Sequence, residues 1–273
     1  HNPNIYNGYK AYWEAGAQIS PEQADVVSAA IEKVDIFTGV KLVSLEEGKK
    51  SGLIRIIGEE VDEAYLKVVL AERIRPNAIP DVADDFKVVY TPFHGTGRIL
   101  VPEVLKRAGL KHLYCVPEQM IPDGRFPSVK SPNPEDKAGF ALAMKIAEDK
   151  GCDLLIGTDP DADRAGVIVR AANGEFVPLT GNQIGVMLLS YIIEARKLEN
   201  KLPANAAAVK SIVSTKLADK ICEANGVTMI NVLTGFKFIG EKIKEFEETG
   251  SHTYIFGFEE SYGYLSGTYA RDK

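Results

Sequence analysis

The chain has few cysteines, no excess of positive charge and no long apolar run, and each shortage excludes something. Its three cysteines, Cys115, Cys152 and Cys222, are widely spaced and odd in number, so neither a disulfide framework nor a zinc-ligand spacing emerges. Cys115 and Cys152 lie in strand-like apolar stretches, where a small buried thiol is the default, and a reducing cytoplasm fits. With 32 Lys and Arg against 38 Asp and Glu the net charge is −6, so nothing offers nucleic acid a basic footprint. No run of about eighteen apolar residues and no signal-peptide pattern is found, and no membrane partner is expected. A hydrophobic content of 45% and a charged content of 26% fit an ordinary globular protein, and 273 residues suggest about two domains.

Against that ordinary background one stretch stands out. Gly157-Thr158-Asp159-Pro160-Asp161-Ala162-Asp163-Arg164 follows the apolar run Cys152-Asp153-Leu154-Leu155-Ile156. Three carboxylates at alternate positions therefore sit where a buried strand emerges into a loop. In an extended or turning segment, residues two apart point the same way, so Asp159, Asp161 and Asp163 can converge on one ion. Mg²⁺ is usually held by a few carboxylates together with phosphate oxygens, and Arg164 is a natural partner for such a phosphate. A calcium loop would need Gly at its sixth and Glu at its twelfth position, where Arg164 and Arg170 stand instead. The pattern points to a Mg²⁺–phosphate site.

Most of the chain alternates strand and helix. Ser20-Pro21-Glu22 opens a first helix, after a strand-like piece over Tyr9–Trp13. Residues 39–60 are polar and Gly/Lys/Glu-rich and read as a connection. Helices are expected over Val61–Arg73, Arg98–Ala108 and Glu135–Lys150, and strands over Lys87–Thr91, His112–Val116 and Asp153–Gly157. Ala165–Val169 and Glu175–Val177 read as a hairpin around Asn173-Gly174. The series then repeats: strands Ala208–Val213, Thr228–Val232 and Thr253–Phe256 alternate with helices Lys216–Asn225 and Phe236–Glu248. In the first copy the loop Asp159-Pro160-Asp161 begins eight residues after Gly151; in the second, Glu259-Glu260-Ser261 begins nine residues after Gly250. The fold class is α/β, as tandem related domains, each a mixed sheet flanked by helices with working loops at the strand ends.

Three more loops hold polar groups at such ends. Thr91-Pro92-Phe93-His94-Gly95-Thr96-Gly97-Arg98 reads equally as an anion-binding loop or a tight turn, with His94 as a hydrogen-bonded structural histidine. Leu233-Thr234-Gly235-Phe236-Lys237 offers Thr234 and Lys237 to a sugar or phosphate. Gly257-Phe258-Glu259-Glu260-Ser261-Tyr262-Gly263 offers two carboxylates and a hydroxyl, the inventory for adjacent sugar hydroxyls.

Together these loops resemble the α-D-phosphohexomutase family, the phosphoglucomutases and phosphomannomutases. His1-Asn2-Pro3 with Asn7-Gly8-Tyr9-Lys10 resembles the segment just after the family's phosphorylated serine, and Asp159 to Arg164 resembles its Asp-x-Asp-x-Asp-Arg metal loop. Thr234-Gly235-Phe236-Lys237 and Glu259-Glu260-Ser261 resemble its sugar-selecting loops, and Asp123-Gly124-Arg125-Phe126-Pro127 a segment usual before the metal loop. Third-domain histidines of several phosphomannomutase-type members are replaced by Phe236 and Gly263, so the pattern is similar to phosphoglucomutases of the branch that includes phosphopentomutases.

The resemblance implies a domain I remnant over residues 1–57, domain II with the metal loop over 58–172, and domain III over 173–273. It implies Mg²⁺ on Asp159, Asp161 and Asp163. His1, Lys10 and Arg164 then serve catalysis, and Thr234, Gly235, Lys237, Glu259 and Ser261 bind substrate. The implied partners are glucose 1-phosphate, glucose 6-phosphate and glucose 1,6-bisphosphate, exchanged through a phosphoserine that would lie just before His1, with a fourth, phosphate-gripping domain beyond Lys273. On that expectation the chain is a fragment, inactive by itself. A non-catalytic module binding Mg²⁺ and sugar phosphate is the alternative. A phosphatase using an Asp-x-Asp pair would need a downstream lysine and acid pair that cannot be assembled here.

Overall fold

In a computed structural model, residues 8–14 and 16–273 are described, and they carry two sheets of matching topology. Helix α1 (Pro21–Ile31) starts where its capping box dictates: Gln23 N–H donates to Ser20 Oγ at 3.3 Å and Ser20 N–H to Gln23 Oε1 at 3.0 Å. The expected connection that follows contains a short helix, α2 (Leu45–Lys50), and then α3 (Glu59–Ala71). Tyr9–Trp13 forms no strand. Its ladder among the described residues is a single antiparallel bridge between Tyr12 and Gln18, closed by Trp13 N–H to the Ala17 carbonyl at 3.1 Å and Ile19 N–H to the Ala11 carbonyl at 3.0 Å, too short a pairing to make a strand.

The first sheet is built from β1 (Lys87–Thr91), β2 (His112–Cys115), β3 (Leu154–Thr158), β4 (Ala165–Arg170) and β5 (Phe176–Pro178) in the order β2-β1-β3-β4-β5. The strands β2, β1 and β3 run parallel and are joined through α4 (Leu100–Arg107) and α5 (Ala141–Lys150); β4 and β5 return antiparallel. Helix α5 begins later than its apolar pattern suggests, because Asp136 caps a 3₁₀ turn over Lys137–Phe140 that precedes it. Val89, Phe93, Phe140, Ala143, Cys152 and Leu155, all buried, form the core behind the sheet. Arg170 closes that side: its guanidinium donates to the carbonyls of Cys152 and Ala147 at 2.9 Å each, satisfying the open C-terminal end of α5.

The second sheet has the order β7-β6-β8-β9 and the same logic. Here β6 (Ala206–Ser211) is central, β7 (Thr228–Val232) and β8 (Thr253–Glu259) flank it in parallel, and β9 (Gly263–Leu265) returns antiparallel. An 18-residue helix, α6 (Gly181–Leu198), connects the sheets; it packs with α7 (Leu217–Asn225) on one face of the second sheet, and α8 (Phe236–Thr249) covers the other. The expected duplication is thus visible as topology, with β3 and β8 in equivalent places. Helix α6 lies over residues to which the sequence pattern assigns no element, and Gly181 and Gly185 in its first turns add nothing to helix propensity. They are there for contact instead: a Cβ on Gly185 would lie 2.3 Å from the Phe258 ring, and one on Gly181 would strike the Glu260 carbonyl.

Candidate active site

The acid loop begins on the most buried part of the first sheet. Val88, Val89 and Tyr90 on β1 and Leu155 on β3 are inaccessible, so the chain leaves Thr158 along a fixed line. It then turns back on itself: Ala162 N–H donates to the Asp159 carbonyl at 3.0 Å, with Ala162 in the left-handed region at φ 59°. This turn, and not an extended run, converges the acids. Oxygens of Asp159, Asp161 and Asp163 all lie within 4.8 Å of one another. Around Mg²⁺, with metal–oxygen distances near 2.1 Å, opposite ligands are roughly 4.2 Å apart and adjacent ones roughly 3 Å, so the three oxygens would draw closer together to seat one ion. The donor set therefore fits a hard divalent cation.

Each acid has a different environment. Asp159 is wholly buried, and its carboxylate accepts from Arg164 Nε at 2.7 Å and from Arg164 N–H at 3.1 Å. Burial, followed by the neighbouring Asp163 charge, pushes its carboxyl up to about 7 despite Arg164. Asp161 is the exposed member, its side chain 34% accessible. Partial burial pushes it upward, but nearby positive charge that includes Lys10 prevails and holds it at about 2. Lys10 arrives from the other end of the sequence, its Nζ 2.9 Å from Asp163 and 3.2 Å from Asp161. Burial alone would lower its pKa; the hydrogen bond to Asp163 and the two carboxylate charges raise it instead. Lys10 thus sits as a cation against two of the three candidate ligands. His1 falls outside the described residues.

The third-domain residues gather around the end of β8. Glu259, 3% exposed, accepts from Gly235 N–H at 2.7 Å, and Lys273 Nζ lies 3.5 Å from its other oxygen. Gly235, at φ 126°, makes the turn into α8 that only glycine takes without strain, which brings Thr234 and Lys237 to the same rim. The Lys237 ammonium lies 5.1 Å from the Phe238 ring centroid. A cleft of about 400 Å³ joins Gly235 and Lys237 to Tyr9, Gln18 and Ile19 of the first segment. Ser261 is half-buried beside Glu260, whose carboxylate accepts from Ser211 Oγ at 2.7 Å and Ser214 Oγ at 3.1 Å.

Several participants carry no signal in the sequence. Lys273 and the Ser211–Ser214 pair contact the site only because β6, β8 and the chain's last residues meet there, and no local motif announces them. Glu260 belongs to a legible motif, but its hydrogen bonds to Ser211 and Ser214 follow only from β8 pairing with β6.

The chain belongs to the phosphoglucomutase/phosphomannomutase family: residues 63–174 match its alpha/beta/alpha domain II and residues 180–273 its alpha/beta/alpha domain III. Among individual relatives, it is 41% identical to a phosphoglucomutase of Staphylococcus epidermidis, over all of this chain and 48% of that protein. It is 38% identical to a phosphoglucomutase of Staphylococcus aureus, again over all of this chain and 47% of that protein. The chain thus spans about half the length of the curated relatives it matches. The fold agrees with two solved structures. A Thermus thermophilus protein, described provisionally as a phosphomannomutase, aligns with TM-score 0.66 and 20% identity over 95% of this chain and 51% of that one. The open form of Paramecium parafusin, a phosphoglucomutase, aligns with TM-score 0.53 and 20% identity over 77% and 35%.

Proposed function

We propose that this chain is the central portion of a Mg²⁺-dependent phosphoglucomutase, interconverting sugar 1- and 6-phosphates through a phosphoserine and a bisphosphate intermediate. The observation that carries this is the convergence of Asp159, Asp161 and Asp163 beside Lys10. An ion there would neutralise charge developing on the transferred phosphoryl oxygens, the main service such a transfer needs. Asp161 and Asp163, the less buried members, are the carboxylates a cation would meet first, and Asp159, held by Arg164, would complete the set. Lys10, protonated between them, is placed to hold a phosphoryl oxygen or the reacting hydroxyl, and His1, nine positions earlier in the sequence, would serve the same transfer. Arg164 holds the loop from behind.

Glu259 and Ser261, with Thr234, Gly235 and Lys237, would grip the sugar hydroxyls from the equivalent strand end of the other sheet. That pairing of one phosphate-handling and one sugar-handling loop suits a reaction in which the sugar must bind in two orientations. The partners we assign are glucose 1-phosphate, glucose 6-phosphate and glucose 1,6-bisphosphate, in a cytoplasmic phosphoprotein of carbohydrate metabolism. Domain limits near 57 and 172 accompany this reading.

The test is to assay the full-length parent on glucose 1-phosphate, mannose 1-phosphate and ribose 1-phosphate. Conversion of the glucose ester above the others supports the assignment, and preference for ribose 1-phosphate would move it to a phosphopentomutase. A polypeptide of these 273 residues alone is expected to bind but not to turn over. Interconversion by it with added glucose 1,6-bisphosphate would refute the phosphoserine route.

A further inference from the structure

The loop after β1 has no part in the reaction as proposed, yet it is the most constrained turn in the first sheet. Phe93 and His94 both adopt positive φ, 45° and 66°, which costs energy for residues with side chains. A closed hydrogen-bond network holds them there. Phe93 N–H donates to Thr91 Oγ1 at 3.2 Å, and Thr91 Oγ1 donates to Gln119 Oε1 at 2.5 Å. The Gln119 amide donates to Ser128 Oγ at 3.1 Å and to the Gly139 carbonyl at 3.3 Å, and its backbone carbonyl accepts His94 N–H at 2.8 Å. His94 Nε2 lies 2.8 Å from the same Ser128 hydroxyl, and Nδ1 lies 2.8 Å from the Ile121 carbonyl, which can only accept, so Nδ1 carries a proton. Gln119 is inaccessible and His94 is 5% exposed, so this network works in a low dielectric where breaking it is costly.

What the turn presents is a platform for Pro160, the residue between Asp159 and Asp161. Thr96 N–H donates to the Pro160 carbonyl at 2.8 Å, and Thr96 Oγ1 donates to the same oxygen at 3.1 Å. A Cβ on Gly95 would lie 2.3 Å from Pro160 Cα and 2.5 Å from its carbonyl oxygen. Gly95 itself has φ −100°, open to any residue, so its need for a bare backbone comes from Pro160 alone.

We propose that Phe93–Thr96 is a brace that sets the position of the acid loop, with Gly95 and Thr96 as positioning residues and the His94–Ser128–Gln119 network as its anchor. The function of the brace rests on reading residues 159–163 as a metal loop, but its mechanical claim does not. It also gives Asp123–Ser128 a use: that segment delivers Ser128 to His94.

The test compares Gly95→Ala, Thr96→Val and Thr96→Ser in the 273-residue chain by hydrogen exchange without metal. Amides of residues 158–165 should exchange roughly tenfold faster in Gly95→Ala, and less so in Thr96→Val, with Thr96→Ser near wild type and the second sheet unchanged. Unchanged exchange at 158–165 in folded Gly95→Ala overturns the brace. Should that variant not fold, Thr96→Val decides, and exchange equal to that of Thr96→Ser overturns the brace. In parallel, Mn²⁺ binding followed by its electron spin resonance should weaken roughly tenfold in Gly95→Ala, with Asp161→Asn as control. No Asp161-dependent Mn²⁺ binding by wild type would sink the metal reading, while the exchange data still judge the brace.

Discussion

The backbone N–H of Ala165 donates to the carbonyl of Tyr262 at 3.1 Å. Ala165 follows the last residue of the acid loop, and Tyr262 follows Ser261, so one main-chain bond ties the exits of the two candidate loops together. Tyr262 reinforces it from a left-handed backbone, φ 70°, with its hydroxyl donating to the Leu179 carbonyl at 3.1 Å. The spacing between the carboxylates and the Glu259 rim is therefore set by backbone and not by flexible side chains. A sugar phosphate held by both loops would meet a gap of fixed width, which is what positioning for transfer requires.

Removing charge from the acid loop should abolish turnover without unfolding the protein. Asp161 is the most accessible of the three acids, so Asp161→Asn in the full-length parent should lose roughly 100-fold or more in kcat. Circular dichroism and melting temperature should match wild type. Near-wild-type rates in saturating Mg²⁺ would count against a metal role.

The acid loop also gives the metal-free chain an unusual pH dependence. Asp159 titrates near 7 in the folded protein, above the roughly 3.9 of an unfolded aspartate. The folded state then binds the extra proton, so this group favours folding below about pH 4 and loses that contribution as pH rises to 7. The melting temperature of the metal-free chain should fall between pH 5 and pH 8. Asp159→Asn should flatten the decline, and Mg²⁺ added at pH 8 should restore stability by binding the ionised form. A melting temperature that rises over this range in wild type alone would refute the assignment.

The three acids of the loop and most of the fold were legible in the sequence, for identifiable reasons, whereas the left-handed turn at Ala162 was not. Alternating carboxylates after an apolar strand are a local pattern, and so are the strands around Val89 and Ile255 and the capping box at Ser20. What stayed hidden depends on long-range packing. Gly185 meets Phe258 only once α6 packs on β8, and Lys273 has no sequence relation to Glu259. Lys10 is expected near the reaction on resemblance alone, and its contact with Asp163 spans 153 positions. Local chemistry is readable from a string, whereas the distance between two pieces of local chemistry is not.

Gly185→Ala tests the packing that joins α6 to β8. The new methyl would meet the Phe258 ring at 2.3 Å, in a core where Phe258 is 1% exposed. Overpacking of this kind costs about 1–3 kcal/mol, which outweighs the roughly 1 kcal/mol of helix propensity gained from glycine to alanine. Thermal melting should drop by several degrees, and a rise would show that Phe258 yields freely.

The buried thiols should be chemically silent. Cys222 is inaccessible, and burial pushes its thiol up to about 12, so almost no thiolate exists at neutral pH. Cys152 is equally inaccessible and is also raised by burial, whereas Cys115 is only partly covered. A thiol reagent at pH 8 should label at most one cysteine per native chain and three after denaturation. Rapid native labelling of Cys222 would mean that the β6–α7 layer opens readily.

Glu259 decides whether the third-domain loop recognises sugar or merely holds itself together. Its Oε1 accepts the Gly235 N–H at 2.7 Å, so Glu259→Ala would remove the proposed sugar contact and also leave a backbone donor unpaired. Loss of kcat/KM for glucose 1-phosphate in the parent should be roughly 30- to 1000-fold, from about 2–4 kcal/mol of unmade hydrogen bonds. That loss alone is ambiguous, and Glu259→Gln resolves it. Glutamine keeps an acceptor for Gly235 but gives up the charge facing Lys273, 3.5 Å away. If recognition depends on a carboxylate accepting two hydroxyls, Glu259→Gln should keep the wild-type melting temperature and still lose much of kcat/KM. Hydrolysis of the phosphoserine by water should be nearly spared in both variants, because water has no sugar hydroxyls to lose. Full activity in Glu259→Gln, or equal loss of mutase and hydrolysis rates in Glu259→Ala, would reduce Glu259 to a clasp for the Gly235 turn.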